Sequence, residues 1–229
     1  MNNLNLKAVS NLKRKKQLND TMVSFTIPQE IERFYELTEK SELEKKILDC
    51  GAGGAEPTIA VFSERGYKAH GVEISDTQIE RAQKYAEEND LDYKIIKADI
   101  RELPYEDESF SFVYSYNSIE HLTKAGTKIA VKEMLRVLKK GGLLYINFQS
   151  TDSTFKNLGK DIGDNEVLNI SQAGKHGFED TFHSFYDIDE ADELFTGLKL
   201  LHKGKSIFNF IDNDKQCQSI TIDYIVQKE

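Results

Sequence analysis

Cysteine is scarce in this chain: Cys50 and Cys217 are the only two among 229 residues. Two thiols are too few for a disulfide framework or a thiolate zinc site. No apolar run approaches the ~18 residues that a membrane-spanning helix needs. The opening MNNLNLKAVSNLKRKKQ has no apolar stretch on either side of its basic cluster, so no secretory signal and a cytoplasmic location are expected. Positive charge is in deficit, with 30 Lys and Arg against 39 Asp and Glu and a net charge of −9. Such a chain has no overall positive field for phosphates, and it lacks the aromatic–basic interleaving of nucleic-acid binders. Nucleic acid and membrane are therefore not expected as partners. The run Lys13–Lys16 reads as a solvated helix face.

What is present suits one α/β domain. The 13 Phe and 10 Tyr require a core. Residues 1–45 read as an N-terminal helical segment whose clearest helix starts near Pro28, with Ile31, Phe34, Tyr35 and Leu37 as its apolar stripe. From Lys46 strands and helices alternate. Strands are expected at 47–50, 67–74, 93–97, 110–115 and 143–148, and helices at 57–64, after Ser75, and at 127–138. Ser75 and Gln78 have the spacing of a capping box. Lys139-Lys140-Gly141-Gly142 reads as a helix C-terminus. Alternation of this kind predicts a doubly wound, mostly parallel sheet. Strands at 198–210 and 219–226 would complete it with one antiparallel strand, after a helix at 187–195. Residues 46–229 form the main domain in this reading, with a lid insertion at about 149–186.

The strongest chemical signal is Asp49-x-Gly51-x-Gly53 between a strand and a helix. Glycines let the backbone turn sharply and approach a ligand, and a helix N-terminus adds free N–H groups. A tight connection with no ligand is the plainer reading of such a turn. Glu73 and Asp99, at the next two strand ends, strengthen the ligand reading. Open α/β sheets bind ligands at that carboxyl edge, and a carboxylate there can accept both hydroxyls of a ribose.

The stretches ILDCGAGGA (47–55), GVEIS (71–75), KADIRELPYEDESFSFVYSYNSIEHL (97–122) and KEMLRVLKKGGLLYIN (132–147) carry a resemblance. In order and spacing the chain resembles the class I S-adenosylmethionine-dependent methyltransferases of type 11, a branch with small or lipid-like acceptors. The resemblance implies the Rossmann-like, seven-stranded methyltransferase fold and S-adenosylmethionine as cofactor. It implies that Asp49 and the backbone of Gly51, Ala52 and Gly53 hold the methionine end, and that Glu73 holds the ribose. Ile74 would pack on the adenine, Asp99 and the Ile100 backbone would meet its edge, and Tyr116 and Asn117 would line the sulfonium. Ala55 stands where the family has a third glycine. The competing cofactor is a nicotinamide dinucleotide, but its pyrophosphate would be repelled by Asp49, whereas a sulfonium accepts several carboxylates.

Methyl transfer is an in-line displacement that needs orientation first, and a base only for a protonated acceptor. His121 is the candidate base, with Glu120 beside it; packing at a helix start is its plainer role. His183 and Tyr186, with His176 and Phe185, are candidates for a small-molecule acceptor pocket in the lid. No metal site is expected, because no histidine pair has i, i+4 spacing. The alternative to an enzyme is a non-catalytic protein that binds S-adenosylmethionine or scaffolds a partner. A filled crevice would favour that alternative, and an open acceptor pocket would favour catalysis.

Overall fold

The computed structural model describes residues 27–168, 182–212 and 215–229, together with the backbone of 16–18 and 21–23. His176 and Lys13–Arg14–Lys15 lie outside the described residues. In chain order the elements are β1 (Lys16–Leu18), β2 (Thr21–Val23), α1 (Gln29–Glu39), β3 (Lys46–Cys50), α2 (Ile59–Glu64), β4 (Lys68–Glu73), α3 (Asp76–Asn89), β5 (Tyr93–Lys97), β6 (Phe110–Ser115), α4 (Lys124–Val137), β7 (Leu138–Ser150), β8 (Lys160–Gly163), β9 (Glu166–Leu168), β10 (Phe182–Tyr186), β11 (Lys199–Asp212) and β12 (Lys215–Gln227). Three short 3-10 turns, at Ile119–His121, Thr154–Leu158 and Glu190–Phe195, link them.

The main sheet runs β5-β4-β3-β6-β7-β12-β11. Neighbours from β5 to β7 pair in parallel, and β12 pairs antiparallel with both β7 and β11. One antiparallel strand in seven is therefore present, as the sequence implied. Alternation of side chains along each strand feeds two cores. On one face Leu48, Val113, Leu144 and Ile146 pack under α4. On the other, Ile47, Phe112, Tyr114 and Tyr145 pack under α1 and α2. Phe34 of α1 sits inside that second core, 5.6 Å from the Tyr145 ring and 6.0 Å from Tyr114. The expected N-terminal helical segment thus holds α1, preceded by the β1–β2 hairpin, and α1 is part of the main core.

Several local expectations are corrected. Ser75 stands at the N-cap of α3, but its side chain makes no cap bond. The Glu73 carboxylate accepts the N–H groups of Ile74 and Ser75, just ahead of the helix, both at 2.9 Å. Helix α4 starts at Lys124, three residues before the expected Thr127, because Thr123 Oγ1 accepts the Gly126 N–H at 3.0 Å. Residues 139–142 are not a helix C-terminus. Leu138 is already extended and the segment belongs to β7, with Gly141 at φ 75°. The Gly141 N–H donates to Lys228 O at 2.7 Å, a partner 87 positions away that local pattern does not reveal. Residues 190–195 form a 3-10 turn in place of the expected helix.

The lid has a definite frame. β8, β9 and β10 form a small antiparallel sheet, and β10 pairs in parallel with Gln149 and Ser150 of β7. β6 ends at Ser115, opposite Ile146. β7 therefore runs on past β6 and carries β10 where β6 stops, at the carboxyl edge of the sheet.

Candidate functional site

The glycine turn hangs from the neighbouring strand: Gly51 and Ala52 donate to Val72 O at 2.9 and 3.0 Å. Gly51 has φ 117°, and a Cβ there would lie 2.0 Å from Ser118 Oγ. At Gly53 a Cβ would lie 2.8 Å from Glu73 Oε2 and 2.6 Å from Gln78 Cβ. Glycine is needed at both positions because side chains from two other segments close on the turn. Ser118 was not singled out from the sequence; only its position three residues past β6 hinted at it.

The three acids occupy three different settings. Asp49 is buried beneath the turn, 1% exposed. Its Oδ2 accepts from Tyr114 Oη at 2.5 Å and Thr58 Oγ1 at 3.3 Å. Burial pushes its carboxyl up to about 7, against the opposing pull of those hydrogen bonds. Glu73 uses Oε1 for two backbone amides, and its Oε2 faces the space left by Gly53. Asp99 is engaged by Arg101, whose Nε donates at 2.9 Å and whose backbone N–H donates at 2.8 Å. That guanidinium holds the Asp99 carboxyl below the usual range. The picture of three free carboxylates around one crevice is therefore corrected: Asp49 acts from below and Asp99 shares its charge with Arg101. Ile74 is 61% exposed at the end of β4, and Ile100 packs partly against the core.

Past β6, Asn117 adopts φ 51°, a left-handed conformation that a non-glycine residue holds only with support. Asn147, 2% exposed, supplies it: its Oδ1 accepts the Asn117 N–H at 2.8 Å and its Nδ2 donates to Asn117 Oδ1 at 2.6 Å. Tyr116 stacks on Tyr145 at 6.4 Å, and burial pushes its hydroxyl up to about 12.

Tyr116 and Asn117 open onto a cavity of about 1000 Å³. Its walls come from the start of α1, the turn carrying Glu120 and His121, Asn147 and Gln149 of β7, His183 of β10, and the β11–β12 hairpin. Ile207 and Phe208 at its mouth are 61% and 68% exposed. A smaller depression of about 640 Å³ lies at the opposite sheet edge, by Tyr67, His70 and Lys94. It is far from the glycine turn and holds none of the expected residues.

His121 Nδ1 lies 3.0 Å from Phe182 O. A carbonyl only accepts, so Nδ1 carries a proton, and the neutral tautomer that this selects has its lone pair on Nε2. His183 packs edge-on to His121, ring centroids 4.6 Å apart. Burial lowers the His183 imidazole to about 3, which keeps it neutral. Tyr186 is not on the cavity wall. It is 4% exposed, with its ring 4.9 Å from Phe148 in the α4-side core. Two residues three apart on a strand face opposite sides, so His183 and Tyr186 could not share one pocket. Among the described residues no group of three or more His, Cys, Asp or Glu side chains is arranged to hold a metal ion. No described helix is long and apolar enough to cross a membrane.

Comparison with known proteins agrees with this geometry. A family model described as a methyltransferase domain matches residues 48–146. The 27-O-demethylrifamycin SV methyltransferase of Amycolatopsis mediterranei is 35% identical over 101 residues, 43% of this chain and 36% of the relative. The sterol 24-C-methyltransferase erg6 of Aspergillus fumigatus is 36% identical over 102 residues, 43% of this chain and 26% of the relative. The chain thus spans about a third or less of the length of these curated relatives. The crystal structure of an S-adenosylmethionine-dependent methyltransferase from Methanosarcina mazei superposes with a TM-score of 0.68 at 17% identity, over 84% of this chain and 96% of that one. Residues 48–146 are thus similar to a methyltransferase domain, and the sheet around them has the fold of an S-adenosylmethionine-dependent methyltransferase.

Proposed function

We propose that this protein transfers the methyl group of S-adenosylmethionine to a small molecule held in the 1000 Å³ cavity. The observation that carries the reading is the junction at Tyr116 and Asn117. These residues border the cavity and directly precede Ser118, which closes on Gly51. Donor site and acceptor space therefore meet at one point. An open cavity also favours catalysis over a cofactor-binding scaffold.

The residues fit the donor. Glu73 Oε2 and the bare backbone at Gly53 form a cradle that any Cβ would fill. In this reading Glu73 accepts the ribose hydroxyls, the exposed Ile74 packs on the adenine, and Asp99 with the Ile100 backbone meets the adenine edge. Asp49 sets a negative charge beneath a cation, and Gly51 to Gly53 offer backbone to the methionine end. Bound there, S-adenosylmethionine supplies a methyl already activated by the sulfonium charge. The chain's own work is then orientation and exclusion of water, which can supply on the order of 7–11 kcal/mol. Asn147 fixes Asn117 at the junction, β10 roofs the carboxyl edge, and His121 Nε2 is available to accept a proton.

The relatives' names refer to two acceptors, 27-O-demethylrifamycin SV and a sterol, so one donor half is compatible with different substrates. Titration calorimetry with S-adenosylmethionine tests the reading, with mass spectrometry for S-adenosylhomocysteine in the presence of acceptor mixtures. Micromolar or tighter binding is expected. Absence of heat from folded, ligand-stripped protein would overturn it.

A further inference from the structure

Glu120 stands apart from the roles above. It is 5% exposed and lines the cavity beside His121. Burial raises its carboxyl, the charge of His121 and its own backbone N–H pull the other way, and no described side chain donates a hydrogen bond to it. A buried carboxylate is costly unless a cation or several donors face it. Apart from His121, the described cations nearby are already committed. Lys205 at the cavity rim pairs with Asp152, and Lys124 pairs with Glu190.

A second observation points the same way. Ser206 Oγ lies 2.6 Å from Glu30 Oε1 and 2.7 Å from Asp223 Oδ2. One hydroxyl proton cannot serve two carboxylates at once, so Ser206 satisfies only one of these oxygens at a time. Asp223 is 1% exposed, and Tyr145 Oη donates to its other oxygen at 3.0 Å. Glu30 and Ser206 are themselves on the cavity wall. The cavity is short of cations on two sides.

From this buried carboxylate, which no described side chain hydrogen-bonds, and the acid pair that competes for one hydroxyl, we infer that the methyl acceptor is a small-molecule amine, its ammonium seated on Glu120. The inference rests on the methyl-transfer reading and names the substrate class for it. A carboxylate or phosphate acceptor would meet like charge at Glu120 and Glu30. A neutral alcohol would leave Glu120 without a counter-charge.

The chemistry closes with the groups present. An ammonium has no lone pair to attack with, so it first gives one proton to His121 Nε2, one residue from Glu120 along the chain. The nitrogen lone pair then forms the N–C bond to the methyl carbon. The C–S bond breaks with its electron pair passing to sulfur, leaving the neutral thioether S-adenosylhomocysteine. The product is again a cation, an N-methylammonium paired with Glu120. His121, exposed on its outer side, returns its proton to water. His183 remains neutral and packs against the base without competing for the proton.

Matched triplets test this: amine, alcohol and carboxylate on the same aryl-alkyl and alicyclic skeletons, titrated into protein loaded with S-adenosylhomocysteine. Amines should bind at least about tenfold tighter than their alcohols, the scale of one charged hydrogen bond, and carboxylates should bind weakest. Glu120→Gln should remove the preference for amines while leaving the heat of donor binding and the circular dichroism unchanged. Glu120→Asp should keep part of it. Amines that bind no better than their alcohols, or a preference that survives Glu120→Gln, would overturn the assignment. Missing donor heat in the wild-type protein would instead overturn the methyl-transfer reading beneath it.

Discussion

Residues 48–146 and the segments that flank them secure their side chains in different ways. In the matched segment much of the site rests on backbone and near neighbours, with a glycine turn hung on Val72 O, Glu73 holding the amides of its own next two residues and Asp99 holding that of Arg101, although Tyr114 reaches Asp49 across 65 positions. In the flanks the cavity is made by contacts over long sequence distance. Ser206 reaches Glu30 across 176 positions and Asn147 reaches Asn117 across 30. The proposed donor site thus draws on one continuous segment, whereas the cavity depends on α1, β10 and the β11–β12 hairpin being assembled together. Two relatives with different acceptors in their names each align over 43% of this chain.

The sharpest way to break that comparison is Glu73→Ala. If Glu73 is the ribose anchor, donor affinity falls about a hundredfold, the value of two hydrogen bonds to a charged group. Amine binding in the cavity should change little. Glu73→Gln keeps an oxygen for the Ile74 and Ser75 amides, so it separates anchoring from capping. Calorimetry on both variants, with the melting temperature as a fold control, decides it. Equal donor affinity in wild type and Glu73→Ala would remove Glu73 from the site.

Asp49 gives a pH signature. Its carboxyl titrates at about 7 in the folded chain, because of burial, and near 3.8 when unfolded. Between those values the folded state binds more protons than the unfolded one. Stability contributed by this group is therefore greatest below about pH 4 and is lost as pH rises to about 7, by on the order of a few kcal/mol. Asp49→Asn should flatten the stability–pH curve over that window in urea titrations. A cationic donor above the turn favours the charged carboxylate, so its binding near pH 7 should release a fraction of a proton. Calorimetry in buffers of different ionisation enthalpy reads that release, and it should vanish in Asp49→Asn. A release that persists would assign the proton to another group.

Much of the donor half was legible in the sequence because its signals are local. Short strand-like runs alternating with helical patterns marked β3, β4, β5 and β6, and Asp49, Gly51 and Gly53 stood at a strand–helix junction. What local pattern missed has a common cause. Arg101 on Asp99 and Ser118 over Gly51 are side-chain choices that spacing does not encode. Lys139–Gly142 looked like a helix end because the partner that pulls it into β7, Lys228, lies at the far end of the chain. In the lid, β10 was not foreseen as a strand, so the parity that puts His183 on the cavity and Tyr186 in the core could not be applied. Glu120 was noticed only as a neighbour of His121; its burial with no described side chain donating to it is a tertiary fact.

A smaller effect tests the junction between the halves. Asn147→Ala removes both bonds to Asn117 and leaves the left-handed Asn117 backbone unsupported. A loss of about 1–3 kcal/mol in stability is expected, the cost of an unsatisfied buried group. Turnover should fall further than donor affinity, because the groove between donor and acceptor loses its shape. Asn147→Asp restores the acceptor for the Asn117 N–H but not the donor, and should recover part of the loss. Chemical denaturation and a comparison of kcat with donor Kd distinguish these outcomes.

The mildest test compares two hydroxyls that a local rule treats alike. Ser75 and Thr123 both stand at helix N-caps, before α3 and α4. Only Thr123 accepts an amide; at Ser75 the two nearest N–H groups toward the strand already belong to Glu73. Thr123→Ala should cost about 1 kcal/mol in stability, and Ser75→Ala should stay within about 0.5 kcal/mol of wild type. In a Glu73→Ala background, however, the Ser75 hydroxyl becomes the remaining oxygen beside those amides, so Ser75→Ala should then cost more than it does alone. Non-additivity between positions 73 and 75 in urea denaturation would show that the two side chains serve the same amides. Strict additivity would separate them.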